Sequence, residues 1–133
     1  MLRDYEAVLK AAADPNRARI LKMLERGEMC VCQIVATLEL SQSTVSKHLA
    51  LLRAAGLVEE RKEGRWVHLR LADNPVNDYA LPLLSLLQGW LAKDVKIRED
   101  GKRAGRIRRI PVEQLCAPAT APAPRVLRGI SYA

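Results

Sequence analysis

Apolar residues recur at helical spacing through the first half of the chain and then switch to strict alternation. Leu2, Tyr5, Leu9 and Ala12 share one face of a helix predicted over 2–13. Asp14-Pro15 supplies a cap followed by proline at the first helical position, and the helix it starts carries Ile20, Leu21 and Leu24 and stops at Gly27. A short third helix is predicted over 31–38. Ser41 caps a fourth, Gln42 to Ala54, which ends at Gly56. Beyond Gly56, Val67, Leu69 and Leu71 alternate with Trp66, His68 and Arg70, the period of a half-buried strand. Residues 57–61 are its predicted partner, joined to it through Lys62-Glu63-Gly64-Arg65, and Asp73-Asn74-Pro75 closes the hairpin.

Asp78 is expected to cap a fifth helix, in which Pro82 is tolerable only near the first turn. That helix carries two apolar stripes, Tyr79, Leu83, Leu86, Trp90 and Ala80, Leu84, Leu87, Leu91. One stripe serves the core of its own subunit, and the second points to a partner copy. Tyr79, Leu83, Leu84, Leu87, Trp90 and Leu91 are therefore the expected dimer contacts. From residue 92 onward the periodicity fades. Residues 92–133 read as a basic, Pro/Ala-rich appendage carrying Cys116, with a short ordered piece around 110–116. The expected organisation is one DNA-binding and dimerisation domain over 1–91 and a tail over 92–133.

Two helices joined by a tight turn and followed by a basic-tipped hairpin make a winged helix-turn-helix, mainly α with a small β-hairpin. In its reader helix, 42–54, Val45, Leu49 and Leu52 point inward, while Ser43, Ser46, Lys47 and Ala50 line another face. Such short polar and basic side chains can lie against base edges and phosphates without holding the helix out of the major groove. Gln42 and Thr44 stand at the end that meets bases. His48 reaches toward phosphate, and Arg61, Lys62 and Arg65 at the hairpin tip reach the DNA backbone or a minor groove.

Charge sharpens this picture. The 133 residues carry a formal charge of +7, distributed unevenly. Residues 1–91 hold 12 Lys/Arg against 11 Asp/Glu, and residues 92–133 hold 10 against 4. The basic tail either attracts nucleic acid or keeps the chain soluble. An aromatic content of 4%, with no Phe, excludes a large stacking platform for single strands. No apolar run is long enough to span a membrane, and no signal-peptide core opens the chain. Three cysteines cannot close a disulfide framework, so reactive or metal-binding thiols in a reducing, cytoplasmic setting are expected. Catalysis is not expected, because there is no Cys-x-x-Cys, phosphate loop or paired carboxylate site.

The stretch SQSTVSKHLALLRAAGLVEERKEGRWVHLRL resembles the signature of the ArsR/SmtB family of winged-helix metal-sensing repressors. DPNRARILKMLERGEMCVCQIVATLELS is similar to that family's second and third helices, and the resemblance spans about residues 4–91. It implies a homodimer that binds double-stranded operator DNA when ligand-free and leaves it when inducer binds. It also implies a ligand role for Cys30-Val31-Cys32, which looks like the motif of arsenic, antimony, cadmium and lead sensors. Thiolates suit such soft ions.

Two departures bear on the inducer. The arsenic-responsive pattern places a third cysteine shortly after the pair, where this chain has Gln33, Ile34 and Val35. No cysteine precedes residue 30 to complete the cadmium/lead version. Residues 76–91 contain no His for a zinc site. Two residues apart on an ideal helix is a rotation of about 200°, so one ion bridges Cys30 and Cys32 only if that turn is distorted. Cys116 is either the third thiolate of a pyramidal trivalent arsenic or antimony site or an unpaired tail thiol. His48 and His68 are expected to be non-ligands. The competing readings on the same scaffold are a cadmium/lead-responsive or a thiol redox-responsive repressor. In the redox case Cys30 and Cys32 or Cys116 form disulfides, and Cys30 with Cys32 are poor partners because the ring is strained at one-residue separation.

Overall fold

The computed structural model describes residues 1–116. The expectation for the Ala/Pro stretch 117–124 lies outside them. Helices α1 (Leu2–Ala13), α2 (Pro15–Leu24), α3 (Val31–Leu38) and α4 (Gln42–Ala54) follow the apolar periodicity. The Asp14 side chain accepts from the N–H groups of Asn16 and Arg17, which starts α2. The Ser41 hydroxyl accepts from Thr44 N–H at 3.2 Å and starts α4. Between them α3 ends through Glu39, whose φ of 59° is left-handed and turns the chain into the reader helix.

The wing is β2 (Val58–Glu63) paired antiparallel with β3 (Trp66–Leu71), in register from Val58↔Leu71 to Glu63↔Trp66. The turn is therefore two residues, Gly64-Arg65, rather than four, and Gly64 adopts φ +60°. A further strand was not anticipated: β1 (Met29–Cys30) pairs with the other edge of β3, setting Met29 opposite Leu69 and Cys30 opposite His68. The core lies where α1–α4 close over this sheet, around Val8, Ile20, Leu21, Met29, Ile34, Val45, Leu52, Leu57 and Leu69.

The fifth helix, α5 (Ala80–Gln88), starts one residue later than its expected cap, at Tyr79, and Asp78 makes no cap bond to it. Pro82 falls in its first turn. Lys22, itself buried, ties α2 to the end of α5 by donating to the Leu87 carbonyl at 2.9 Å, and pairs with Glu25.

Residues 95–115 correct the expected loss of periodicity. They form α6 (Val95–Ile107), capped by Asp94, and the single turn α7 (Val112–Leu115). Ala104 enters the main core, while Ile107 and Leu115 pack with Ala36 beside Cys32. Asp100 is buried and receives two hydrogen bonds from Arg19 of α2, at 2.7 and 3.0 Å. Arg103 donates to the Thr37 carbonyl at 2.9 Å and pairs with Glu39, so α6 is fastened to the turn of the helix-turn-helix. Arg108 donates to the Met23 and Gly27 carbonyls at the end of α2.

Candidate functional site

The three cysteines meet at the N-terminus of α3. Their sulfurs all lie within 4.8 Å of one another, although Cys116 is 84 residues from Cys32. The 200° problem is solved by the backbone. Cys30 is not in the helix but at its N-cap, in extended conformation (φ −70°, ψ 150°), as the last residue of β1 and opposite His68 of β3. Its side chain swings back over the first turn, where Cys32 sits. Cys116 arrives from the other side at the end of α7.

Cys32 and Cys116 are joined as a disulfide with Cα atoms 5.5 Å apart, and Cys30 is a free, buried thiol whose sulfur is 3.5 Å from that of Cys116. Cys30 and Cys116 are 1% and 2% exposed, and Cys32 is half-buried. Burial pushes the Cys30 thiol up. The backbone N–H groups of Cys32, Gln33, Val31 and Val67 work against that shift by favouring the thiolate. A capping box completes the turn: the Gln33 side chain accepts from Cys30 N–H at 2.7 Å while the Cys30 sulfur accepts from Gln33 N–H.

On α4, Ser43, Ser46, Lys47 and Ala50 are exposed, and Val45, Leu49 and Leu52 are buried. Gln42, Thr44 and His48 are half-buried. Thr44 is drawn into the cap, accepting from the Ser41 hydroxyl at 2.8 Å. His48 Nδ1 lies 3.3 Å from Arg17, whose guanidinium also donates to the Lys10 and Ala11 carbonyls. Lys62 and Arg65 are exposed on the wing, with Arg65 5.6 Å over the Trp66 ring. Arg61 is placed differently from a free phosphate contact, because Glu28 and Glu63 both pair with it. Those two carboxylates also flank His68 at 3.7 and 3.8 Å. The Glu28–Arg61–His68 network was missed because Glu28 precedes a strand too short to announce itself by periodicity.

A family model described as "Bacterial regulatory protein, arsR family" matches residues 14–60, from the cap of α2 into the wing. The arsenic resistance transcriptional regulator ArsR1 of Pseudomonas putida is 40% identical over 101 residues, covering 72% of this chain and 79% of the relative. The chain belongs to the ArsR family. The solved structure of reduced HlyU from Vibrio cholerae matches with a TM-score of 0.58 at 36% identity, over 68% of this chain and 92% of that one. The cadmium metal-sensor CMTR from Mycobacterium tuberculosis matches with a TM-score of 0.51 at 38% identity, over 66% and 84%.

As an ArsR-family chain it is a winged-helix transcription regulator with a DNA-binding helix-turn-helix. No helix among the described residues is long and apolar enough to cross a membrane. The residues expected at a dimer contact divide in two. Leu84 and Leu87 are buried inside the subunit and Leu83 is half-buried, whereas Tyr79, Trp90 and Leu91 are 40%, 51% and 42% exposed. Exposed Tyr5 and Leu9 on α1 extend the second set, with Tyr5 edge-on to Tyr79 at 5.9 Å.

Proposed function

We propose that this ArsR-family chain is a metalloid-responsive transcriptional repressor. As a homodimer it holds operator DNA when ligand-free, and it releases DNA when trivalent arsenic or antimony binds Cys30, Cys32 and Cys116. The observation that carries this reading is the convergence of three sulfurs, two of them buried, at the first turn of the helix that supports the reader. Three thiols exchange for the three hydroxyls of arsenous acid with loss of three waters, which forms a pyramidal site. A tetrahedral ion needs a fourth donor, and the cluster among the described residues offers three.

The response follows from where Cys30 sits. It belongs at once to β1, which is paired with the wing, and to the N-cap of α3, which precedes the reader by one turn. A ligand that bridges its sulfur to Cys32 and Cys116 therefore acts on both connections at once, to the wing and to the helix that supports the reader. On DNA, Ser43, Ser46 and Lys47 meet the major groove with Gln42 and Thr44 at the helix start, and Lys62 and Arg65 reach the backbone beside it.

The test is release of the reduced protein from operator DNA by arsenite, antimonite and cadmium in turn. Arsenite is expected to release the wild type. Cys30→Ser and Cys32→Ser are expected to bind DNA normally and to lose the response, since a hydroxyl keeps the side-chain size but not the soft donor. Release by cadmium or by an oxidant, with no effect of arsenite, overturns the metalloid reading.

A further inference from the structure

The three sulfurs can be arranged in two mutually exclusive ways, as a three-thiolate site or as one disulfide and one thiol. We propose that the Cys32–Cys116 disulfide is an oxidation lock on the inducer site: the oxidised regulator stays on DNA and cannot respond to trivalent metalloid. This rests on the metalloid reading above and states how that same site is regulated.

Joining Cys32 to Cys116 leaves Cys30 as the one free thiol among the described residues. A ligand set of three becomes a set of one. The disulfide also leaves the DNA-reading geometry intact. With it in place α3 runs unbroken from Val31 to Leu38, and the Cys30–Gln33 capping box is closed. The reader starts from its Ser41 cap with Val45, Leu49 and Leu52 in the core. The bond joins α3 to the end of α7, two elements already packed together through Ala36, Ile107 and Leu115, and the preceding α6 is anchored to α2 through Arg19–Asp100 and to the end of α3 through Arg103. Oxidation therefore staples the support helix in the conformation that presents the reader.

The chemistry requires a two-electron oxidant, which we assign to the hydroperoxide class. Cys32 is the most accessible of the three thiols. Its thiolate attacks the peroxide oxygen, the O–O bond breaks, and a sulfenic acid forms as alcohol or water leaves. The Cys116 thiolate then attacks the Cys32 sulfur, the S–S bond forms, and water leaves with the sulfenic oxygen. An external dithiol reverses this by becoming a disulfide itself and returning two protons to Cys32 and Cys116.

The experiment uses the full chain, reduced with a phosphine and desalted, or treated with hydrogen peroxide. Free thiols are counted in denaturant, and operator binding is followed by fluorescence anisotropy. The expected thiol count falls from three to one at monomer mass on a non-reducing gel. Both forms bind the operator equally, arsenite releases the reduced form alone, and a dithiol restores the response. Cys30→Ser is expected to fall from two thiols to none and to stay on DNA throughout. The lock is overturned if peroxide leaves three thiols or links two chains, if oxidation itself strips the protein from DNA, or if arsenite releases the oxidised form. Failure of arsenite to release the reduced wild type is read in a separate arm. That outcome removes the metalloid reading and the lock with it.

Discussion

In the proposed response Cys30 couples chemistry to shape because one residue serves as strand, helix cap and sulfur donor. Its raised pKa also separates the candidate inducers. A divalent cation must displace a proton from each neutral thiol it binds, so its affinity rises with pH up to the thiol pKa. Arsenous acid brings its own hydroxyls and takes each thiol proton away as water, so its affinity is flat over the same range. Burial lifts the Cys30 thiol above its ordinary value, so Cys30 does not narrow that range. Titrations of the reduced protein between about pH 6 and pH 8, below the ordinary cysteine pKa, are expected to show constant arsenite affinity and increasing cadmium affinity. Arsenite affinity that climbs with pH would contradict a neutral three-thiol exchange. The same attention to individual side chains separates the cations on the DNA face. Lys47 is exposed with no salt bridge among the described residues, whereas Arg61 is held by two carboxylates. Lys47→Ala is expected to lower the salt slope of operator binding by about one unit, the share of one phosphate. Arg61→Ala is expected to leave the slope nearly unchanged.

At the level of elements, the helix-turn-helix and wing were legible because their buried faces are made of apolar residues at regular spacing. Helix α6 was not. Its inward face is Ala104, Ile107 and the buried carboxylate of Asp100, and it carries Gly101 and Gly105 in its interior, so it reads as polar and flexible. What buries it is a pairing across 81 residues, Arg19 to Asp100, which no local pattern reveals. The convergence of Cys116 on the other thiols was legible only as one of two alternatives for the same reason: it depends on that docking. Strand β1 escaped notice because two residues have no period, and it is this strand that reorients Cys30. Asp100→Ala leaves a largely buried guanidinium without its partner. It is expected to destabilise the protein by on the order of 3 kcal/mol, read by urea unfolding. It should also weaken arsenite binding by loosening the arm that carries Cys116, while Cys30 and Cys32 keep their places. Full arsenite affinity in a destabilised Asp100→Ala protein would show that α6 does not position the third thiol.

On the scale of the whole molecule, the subunit presents apolar surface that it does not use. Tyr5 and Leu9 of α1 and Tyr79, Leu86, Trp90 and Leu91 around α5 are each at least 40% exposed, while Leu84 and Leu87 on the other side of α5 fill the core. In the proposed homodimer a second copy meeting the first along α1 and α5 is expected to cover this surface and to pair two reader helices. Two readers in successive major grooves set half-sites about 34–36 Å apart. Leu91 gives the cleanest test. It lies just past α5 with φ 65°, a left-handed backbone that leucine adopts at a cost and that Asp or Asn tolerates better. Nothing in the subunit's backbone therefore rewards a leucine there, and Leu91→Asp is expected to leave the monomer fold intact. Across a dimer contact the same change buries two unpaired carboxylates. Sedimentation of Leu91→Asp is expected to give a folded monomer with native helical circular dichroism. Its operator affinity should drop to that of a single winged helix. Leu87→Asp, by contrast, should unfold the chain, because that side chain is 6% exposed inside the subunit. A Leu91→Asp protein that sediments as a dimer and binds operator like the wild type would move the partner contact away from α5.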